Sequence, residues 1–206
     1  NALDAPFLRP DHEGHERIAG ITSDIAPAEQ VDWIIRTSPG TKRVGVLSSP
    51  RTQQTAAALE KAGRSRGITV TTFQAARDEF PAAIEALDAS GCDGALMIPD
   101  AQVYNSPNVE RLLLWGARNR KPVWAFSENV VKAGAYSGLY CDSAEVGRQA
   151  AAVVEEVARG KEPAAIGLRY PQVVRRAVNV HTAAMIEASL DEKVFGSGVA
   201  RLGEQP

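Results

Sequence analysis

The side chains best suited to binding a small polar molecule stand where predicted strands end. They follow four such strands and are Ser48, Ser49, Thr52, Asp100, Gln102, Tyr104, Asn105, Ser127, Glu128, Tyr140 and Asp142. Hydroxyl and amide groups at a helix N-terminus suit a carboxylate, because free backbone N–H groups and the helix dipole favour negative charge there. An acid such as Asp100 suits an ammonium group. The rings of Tyr104, Trp124 and Tyr140 offer flat surfaces to an apolar ligand body.

Several of these residues also have a simple structural explanation. Ser48 and Ser49 could serve only as caps for a helix that begins near residue 51. Asp142 fits a helix cap better than a ligand contact, and Trp124 fits a core position in its strand. His181, at the start of a predicted helix, is likewise interpreted as structural.

The sequence indicates no catalytic residues, no metal and no cofactor. It lacks the nucleophile-elbow, P-loop, dinucleotide-binding and zinc-protease motifs. His12, Glu13 and His15 lack a third ligand nearby, which favours a solvated loop over a metal site. Cys92 and Cys141 form neither a disulfide framework nor a metal-type spacing, so they leave the cellular compartment open.

Composition and charge argue against nucleic-acid binding and against a membrane-spanning helix. The 206 residues carry a formal net charge of -2 and no basic run interleaved with aromatics, which argues against nucleic-acid binding. No apolar run approaches the roughly 20 residues that a membrane-spanning helix needs. At 44% hydrophobic and 23% charged residues, the chain has the composition of a soluble globular protein that can bury a core.

From residue 41 the chain alternates between strands and helices. The predicted strands lie at 42–47, 68–73, 91–98 and 121–126, and the helices between them at 51–65, 78–89 and 107–120. This alternation is typical of right-handed βαβ units with a parallel sheet covered by helices. The strand at 91–98 is apolar on both faces, as expected at the centre of such a sheet, and ligands bind beyond the carboxyl ends of such strands.

The flanking regions are less regular. We predict a short strand at 17–22 and a helix at 28–36 before this lobe. Beyond it we predict a helical turn at 129–134, a strand at 135–141 and a helix from about 143 to 159 whose apolar side includes Val153, Val154 and Val157. A strand at 173–180, a short helix at 181–190 and a mobile tail after residue 195 complete the chain.

Several segments, in order, resemble the substrate-binding proteins of bacterial ABC transporters, in the branch that includes binders of tryptophan and related amino acids. The matching segments are Ile98-Pro99-Asp100, 121–128, 131–135, 147–151 and 178–184, with 18–23 resembling the stretch that joins the two lobes. The resemblance covers most of the sequence, and the order of the segments carries much of its weight.

The resemblance implies a periplasmic-binding-protein type I fold, with two Rossmann-like lobes that close on a ligand. It also implies delivery of the solute to a membrane permease, and a periplasmic or extracellular location, with a lipid anchor supplied by a leader outside this chain as one option. In that family, polar residues at the positions of Ser48, Ser49, Asp100 and Ser127 line the cleft.

Set against this family, the first lobe is expected to be incomplete. Residues 1–40 would be a remnant of the first lobe and a crossing segment, 41–134 a complete α/β lobe, 135–165 a return to the first lobe, and 166–206 the second-lobe return and tail. A trimmed chain, preceding residues in nature, or a shortened relative that completes its core as a homodimer would each explain this.

The leading hypothesis is therefore the solute-binding component of an ABC importer, which binds a small amino-acid-like ligand between its lobes without catalysis. A ligand-sensing regulatory module on the same fold, or a shortened dimerising relative with no transport role, is the alternative. An enzyme on a Rossmann-like lobe comes third, since a fold alone does not fix a function.

Overall fold

The fold is given by a computed structural model that describes residue 5, residues 13–14, residues 17–190 and residues 198–203. Its strands are β1 (Gly20–Ile21), β2 (Arg43–Ser48), β3 (Thr69–Gln74), β4 (Gly94–Leu96), β5 (Val123–Ala125), β6 (Ser137–Cys141), β7 (Leu168–Arg169), β8 (Val174–Asn179) and β9 (Val199–Leu202). Its helices are α1 (Pro27–Thr37), α2 (Gln53–Arg64), α3 (Phe80–Ala89), α4 (Ser106–Asn119), α5 (Glu128–Lys132), α6 (Ser143–Ala158), α7 (Pro163–Ile166) and α8 (Val180–Met185). Short 3-10 turns precede α2 and α3.

A seven-stranded sheet organises most of the described chain, in the order β3-β2-β4-β5-β6-β8-β9. Every neighbouring pair is parallel except β6 and β8, which run antiparallel. The helices cover both faces of the sheet, because its strands are apolar on both sides: β2 is buried at five of its six positions. The predicted α/β class with a parallel sheet flanked by helices is confirmed.

Each face of the sheet has its own apolar core. On one face Ile34 of α1 and Leu59 of α2 pack with Val44 and Val46 of β2. On the other, residues of α3 and α4 pack against Leu47 and the segment that follows β4. Close packing also requires glycine at position 94, because an added Cβ would lie 2.6 Å from the Pro122 carbonyl oxygen.

A second, smaller unit is built from segments distant in sequence. β1 and β7 form a separate two-stranded parallel sheet, and α6 packs against β1. The predicted apolar side of α6 is only partly covered: Val153 is buried, but Val154 is 67% exposed and Val157 is 39% exposed. The apolar side predicted for α6 is therefore covered by other described elements only in part.

Two expectations about the second half of the chain also need correction. The large sheet continues past residue 134, where we expected the lobe to end, because β6 hydrogen-bonds directly beside β5. The tail is not uniformly mobile, because residues 199–202 form β9 and pair with β8. His12 and His15 lie outside the described residues. No helix in the described part of the chain is long and apolar enough to cross a membrane.

Candidate ligand-binding site

Asp100 joins the loops that follow β2 and β4. One oxygen of its carboxylate accepts hydrogen bonds from the Thr52 hydroxyl (2.7 Å) and the Ser49 backbone N–H (3.0 Å). The other accepts the Gln102 backbone N–H at 2.9 Å. These contacts bring the end of β2 and the loop after β4 together, because the two strands are neighbours and their carboxyl ends meet at one edge.

The carboxylate of Asp100 is held in its charged form. The residue is only 7% exposed, and burial opposes ionisation. The hydrogen bonds from Thr52, Ser49 and the Gln102 backbone outweigh burial and hold the pKa of Asp100 below its usual value. With three protein donors already in place, Asp100 positions the two loops, and any contact with a ligand ammonium would be an addition to that role.

Ser48 places a hydroxyl at the end of β2 that makes no hydrogen bond to any residue the structure describes. The residue is fully buried, and its Oγ has no hydrogen-bond partner among the described residues. A buried polar group without a partner is costly, and in native proteins it is uncommon. Of the residues predicted at the strand ends, Ser48 is the one whose polar atom is fully buried and left without a partner.

Most of the other predicted residues use their side chains in contacts within the protein. Asn105, Ser127 and Asp142 are the N-caps of α4, α5 and α6, each accepting backbone N–H groups of the first turn. Tyr104 donates its hydroxyl to the Leu47 carbonyl (3.3 Å), and burial, then the charge of Asp100, raises its pKa. Glu128 pairs with Lys132 at 2.8 Å. Helix capping is thus the role of three of these residues, Asn105, Ser127 and Asp142.

A pocket lies at the same edge of the sheet, where three chain segments cross between the large and small units: the first links β1 to α1, the second β6 to α6 and the third β7 to β8. It is formed by residues before and within α1, by residues at the ends of β4, β5 and β6, and by the segment after β7. Its polar and aromatic lining consists of Ser23, Asp24, Gln30, Trp33, Thr55, Trp124, Phe126, Tyr140 and Tyr170. Of the predicted site residues Tyr140 lies in this lining, and so does Trp124, whose ring the sequence also offered as a flat surface for the ligand.

Hydrogen bonds tie the three crossing segments to one another. Cys141 donates its thiol to the Ser23 carbonyl at 2.9 Å, which links the second crossing to the first. The Thr22 N–H donates to the Arg169 carbonyl at 3.0 Å, which links the first to the third. Arg175, near the start of β8, pairs with Asp142 at 2.7 Å, so the point where the third crossing enters the large sheet contacts the second crossing. A movement of one unit relative to the other would therefore change the shape of the pocket.

The pocket carries negative charge. Asp24 is buried and accepts the Thr22 hydroxyl at 2.9 Å. Burial, then the charge of Asp24, raises the pKa of both Cys141 and Tyr170. In this structure the pocket encloses about 30 Å³, the volume that one water molecule occupies in the liquid. It can serve only as the floor of a cleft for any larger ligand.

Sequence reasoning missed most of this lining. Asp24, Gln30 and Tyr170 lie on the crossing segments and the first turns of α1, outside the strand ends on which the prediction was based. The segment 18–23, already noted as similar to a stretch joining two lobes, was the available signal. Within the described residues no group of three or more His, Cys, Asp and Glu side chains is arranged to hold a metal ion.

Three solved structures share this fold over about nine-tenths of the chain. A Streptococcus pneumoniae ABC domain in complex with L-Trp aligns with a TM-score of 0.68 at 16% identity over 89% of this chain. A conserved domain protein from Vibrio cholerae aligns at 0.69 and 22% identity over 89%. A ligand-free, open substrate-binding protein with adhesive properties from Clostridium difficile aligns at 0.69 and 14% identity over 91%. These confirm the periplasmic-binding-protein type I fold.

The chain spans 63%, 62% and 63% of those three structures, respectively, which is less than two thirds of their length. No curated protein matches the sequence. The model of one protein family, described as ABC transporter substrate binding protein, matches residues 8–199. The chain therefore belongs to the ABC transporter substrate-binding protein family.

Proposed function

We propose that this chain forms the second lobe and hinge of the solute-binding component of an ABC importer, and that it binds a small amino-acid-like ligand without catalysis. The ligand would lie between the lobes, on the pocket where the three crossing segments meet. The observation that carries this proposal is the position of that pocket, at the carboxyl edge of the sheet and directly beside the loops that Asp100 joins.

The charges around the pocket support a zwitterionic ligand. Asp24 supplies a buried negative charge, which suits an ammonium group. Pro27 and Gln30 belong to the first turns of α1, whose N-terminal dipole favours a carboxylate. An α-amino acid carries both groups on one carbon atom.

The aromatic lining supports an apolar side chain on that ligand. Phe126, Tyr140 and Tyr170 line the pocket, and aromatic faces favour flat or branched apolar groups. The Streptococcus pneumoniae structure that shares this fold was determined with L-Trp. L-Tryptophan is therefore the first ligand to test.

A membrane permease is the proposed partner, and the proposed location is periplasmic or extracellular. Both follow from membership of the family, whose proteins bind small molecules outside the cytoplasm and work with a permease. A lipid anchor, and a homodimer that would complete the first lobe, are further proposals.

The direct test is a thermal-shift screen with L-tryptophan, the other common amino acids and small organic acids. A ligand that binds only the folded state raises Tm, and at 100 times its Kd it adds about 2.7 kcal/mol to the free energy of unfolding. We expect a rise with an aromatic or branched amino acid. Asp24→Asn should remove that rise, whereas Asp78→Asn, at an exposed acid outside the pocket, should keep it. No rise with any amino acid would contradict the proposal.

A further inference from the structure

The outer face of α4 presents an apolar residue to solvent between two grooves. Leu114 is 44% exposed and stands on the ridge between them. The groove between α4 and α5 has a volume of about 700 Å³, and its wall includes Leu113, Ala117 and Met185, the last also 44% exposed. The groove between α3 and α4 has a volume of about 440 Å³. Such an apolar ridge beside an apolar groove is a surface that a partner could cover.

Two charged residues of α4 lie at equal distances on either side of Leu114. Glu110 lies four residues before it and Arg118 four residues after it, so the three share one stripe of the helix. Both charged side chains are exposed, and neither forms an ion pair with any described residue. At 1.5 Å per residue, they are separated by about 12 Å along the helix axis.

We propose that this face binds a second copy of the chain through a two-fold axis beside Leu114. Such an axis places two α4 helices antiparallel, so that Glu110 of each copy faces Arg118 of the other. Leu114 of each copy then enters the other's groove between α4 and α5, against Leu113, Ala117 and Met185. Packing of i, i+4 ridges into grooves is the commonest arrangement of two helices.

The symmetry of the pattern selects this occupant over an unrelated protein. A two-fold interface must be complementary to itself, so an acid and a base that pair across it must lie at equal distances on either side of the axis. The spacing of Glu110 and Arg118 about Leu114 meets that requirement. An unrelated partner would impose no such relation between the two ends of one helix.

The test is sedimentation velocity on the purified protein over a concentration series, at low ionic strength. We expect a concentration-dependent dimer in the wild type. Glu110→Arg and Arg118→Glu should each raise the dimer Kd about tenfold or more, since each replaces two attractive contacts by two repulsive ones. The double variant Glu110→Arg with Arg118→Glu should restore the wild-type Kd, because each pair is then opposite in sign again.

Rescue by the double variant is the decisive result, because residues eight apart on one helix do not contact each other within a single copy. Glu162→Arg, at an exposed residue before α7, changes the net charge by the same amount as Glu110→Arg and should leave the dimer Kd unchanged. A monomer at all concentrations would overturn the proposal. A dimer that ignores the single changes, or that the double variant does not restore, would overturn it as well.

Discussion

At the scale of single residues, the contact between Thr52 and Asp100 holds the binding edge of the sheet together. The hydroxyl donates to a buried carboxylate at 2.7 Å, and hydrogen bonds to charged groups are worth about 1.5–3 kcal/mol. Thr52→Val should therefore lower the free energy of unfolding by about 2 kcal/mol, measured by urea denaturation. Thr71→Val, at an exposed position of β3, is the matched control and should change it by less than about 0.5 kcal/mol. Equal effects of the two changes would show that the contact does not stabilise the fold.

The charge of Asp100 should also make stability depend on pH. Its pKa is lower in the folded chain than in the unfolded one, where the pKa of Asp is about 3.9. Its contribution is therefore complete above about pH 5 and is lost as the pH falls through 3.9 toward the folded pKa. Asp100→Asn should destabilise the protein at pH 7, and the difference from wild type should shrink as the pH approaches 3. A difference that stays constant over this range would rule out a contribution from the ionised carboxylate.

Ser48 offers a way to separate stability from binding. Because its buried Oγ has no partner among the described residues, Ser48→Ala removes a polar group without breaking a hydrogen bond. We expect the free energy of unfolding without ligand to stay the same or rise by up to about 1 kcal/mol. If Ser48 contacts the ligand, the same change should weaken binding, measured by calorimetry with the ligand found in the thermal-shift screen. A loss of more than about 1 kcal/mol in the absence of ligand would show that the hydroxyl has a structural partner.

At the scale of elements, two asparagine caps should differ in their effect on stability. Asn105 caps α4 from an exposed position, with its side chain accepting the Asn108 N–H. Asn179 is buried, caps α8 through the Thr182 N–H, and also donates to the Val131 carbonyl at 2.8 Å. Asn105→Ala should cost about 1 kcal/mol and Asn179→Ala about 2 kcal/mol in urea denaturation. The reverse order would show that the contact between β8 and α5 contributes nothing.

The order of elements was predictable because each signal is local. Strands such as β2 and β3 are short apolar or β-branched runs, and helices such as α4 have apolar residues at helical spacing. β9 was missed because its surroundings are rich in glycine and serine, and its strand conformation depends on pairing with β8. The exposure of Val154 was missed for the converse reason: spacing predicts an apolar face but not whether another element covers it.

The site was predictable only where it depends on strand ends. Thr52 and Asp100 follow neighbouring strands of a parallel sheet, so their meeting follows from topology. The pocket lining from Asp24 and Tyr170 depends on crossings that bring together residues 146 positions apart, and no local pattern carries that information. The capping roles of Asn105, Ser127 and Asp142 were local, but only Asp142 was given that interpretation beforehand.

At the scale of the whole molecule, the small unit built on β1, β7 and α6 presents an apolar face. Val154 and Val157 on α6 are exposed, as are Leu168 on β7 and Tyr170 and Val173 just beyond it. The solved structures that share this fold are longer than this chain. We propose that, in a two-lobed protein of this family, this face packs against the rest of the first lobe.

The last prediction tests that face in solution. The 206-residue chain should bind the fluorescent dye ANS in its folded state, because exposed contiguous apolar surface binds such dyes. Changing Val154 and Val157 to Lys together should reduce the dye signal. The free energy of unfolding should change by no more than about 0.5 kcal/mol for each substitution, since neither side chain is buried.

The charge swap at Glu110 and Arg118 on α4 should leave the dye signal unchanged, which separates this face from the proposed dimer surface. A signal that the two lysines do not reduce would contradict the prediction, because the dye would then bind at a surface other than α6.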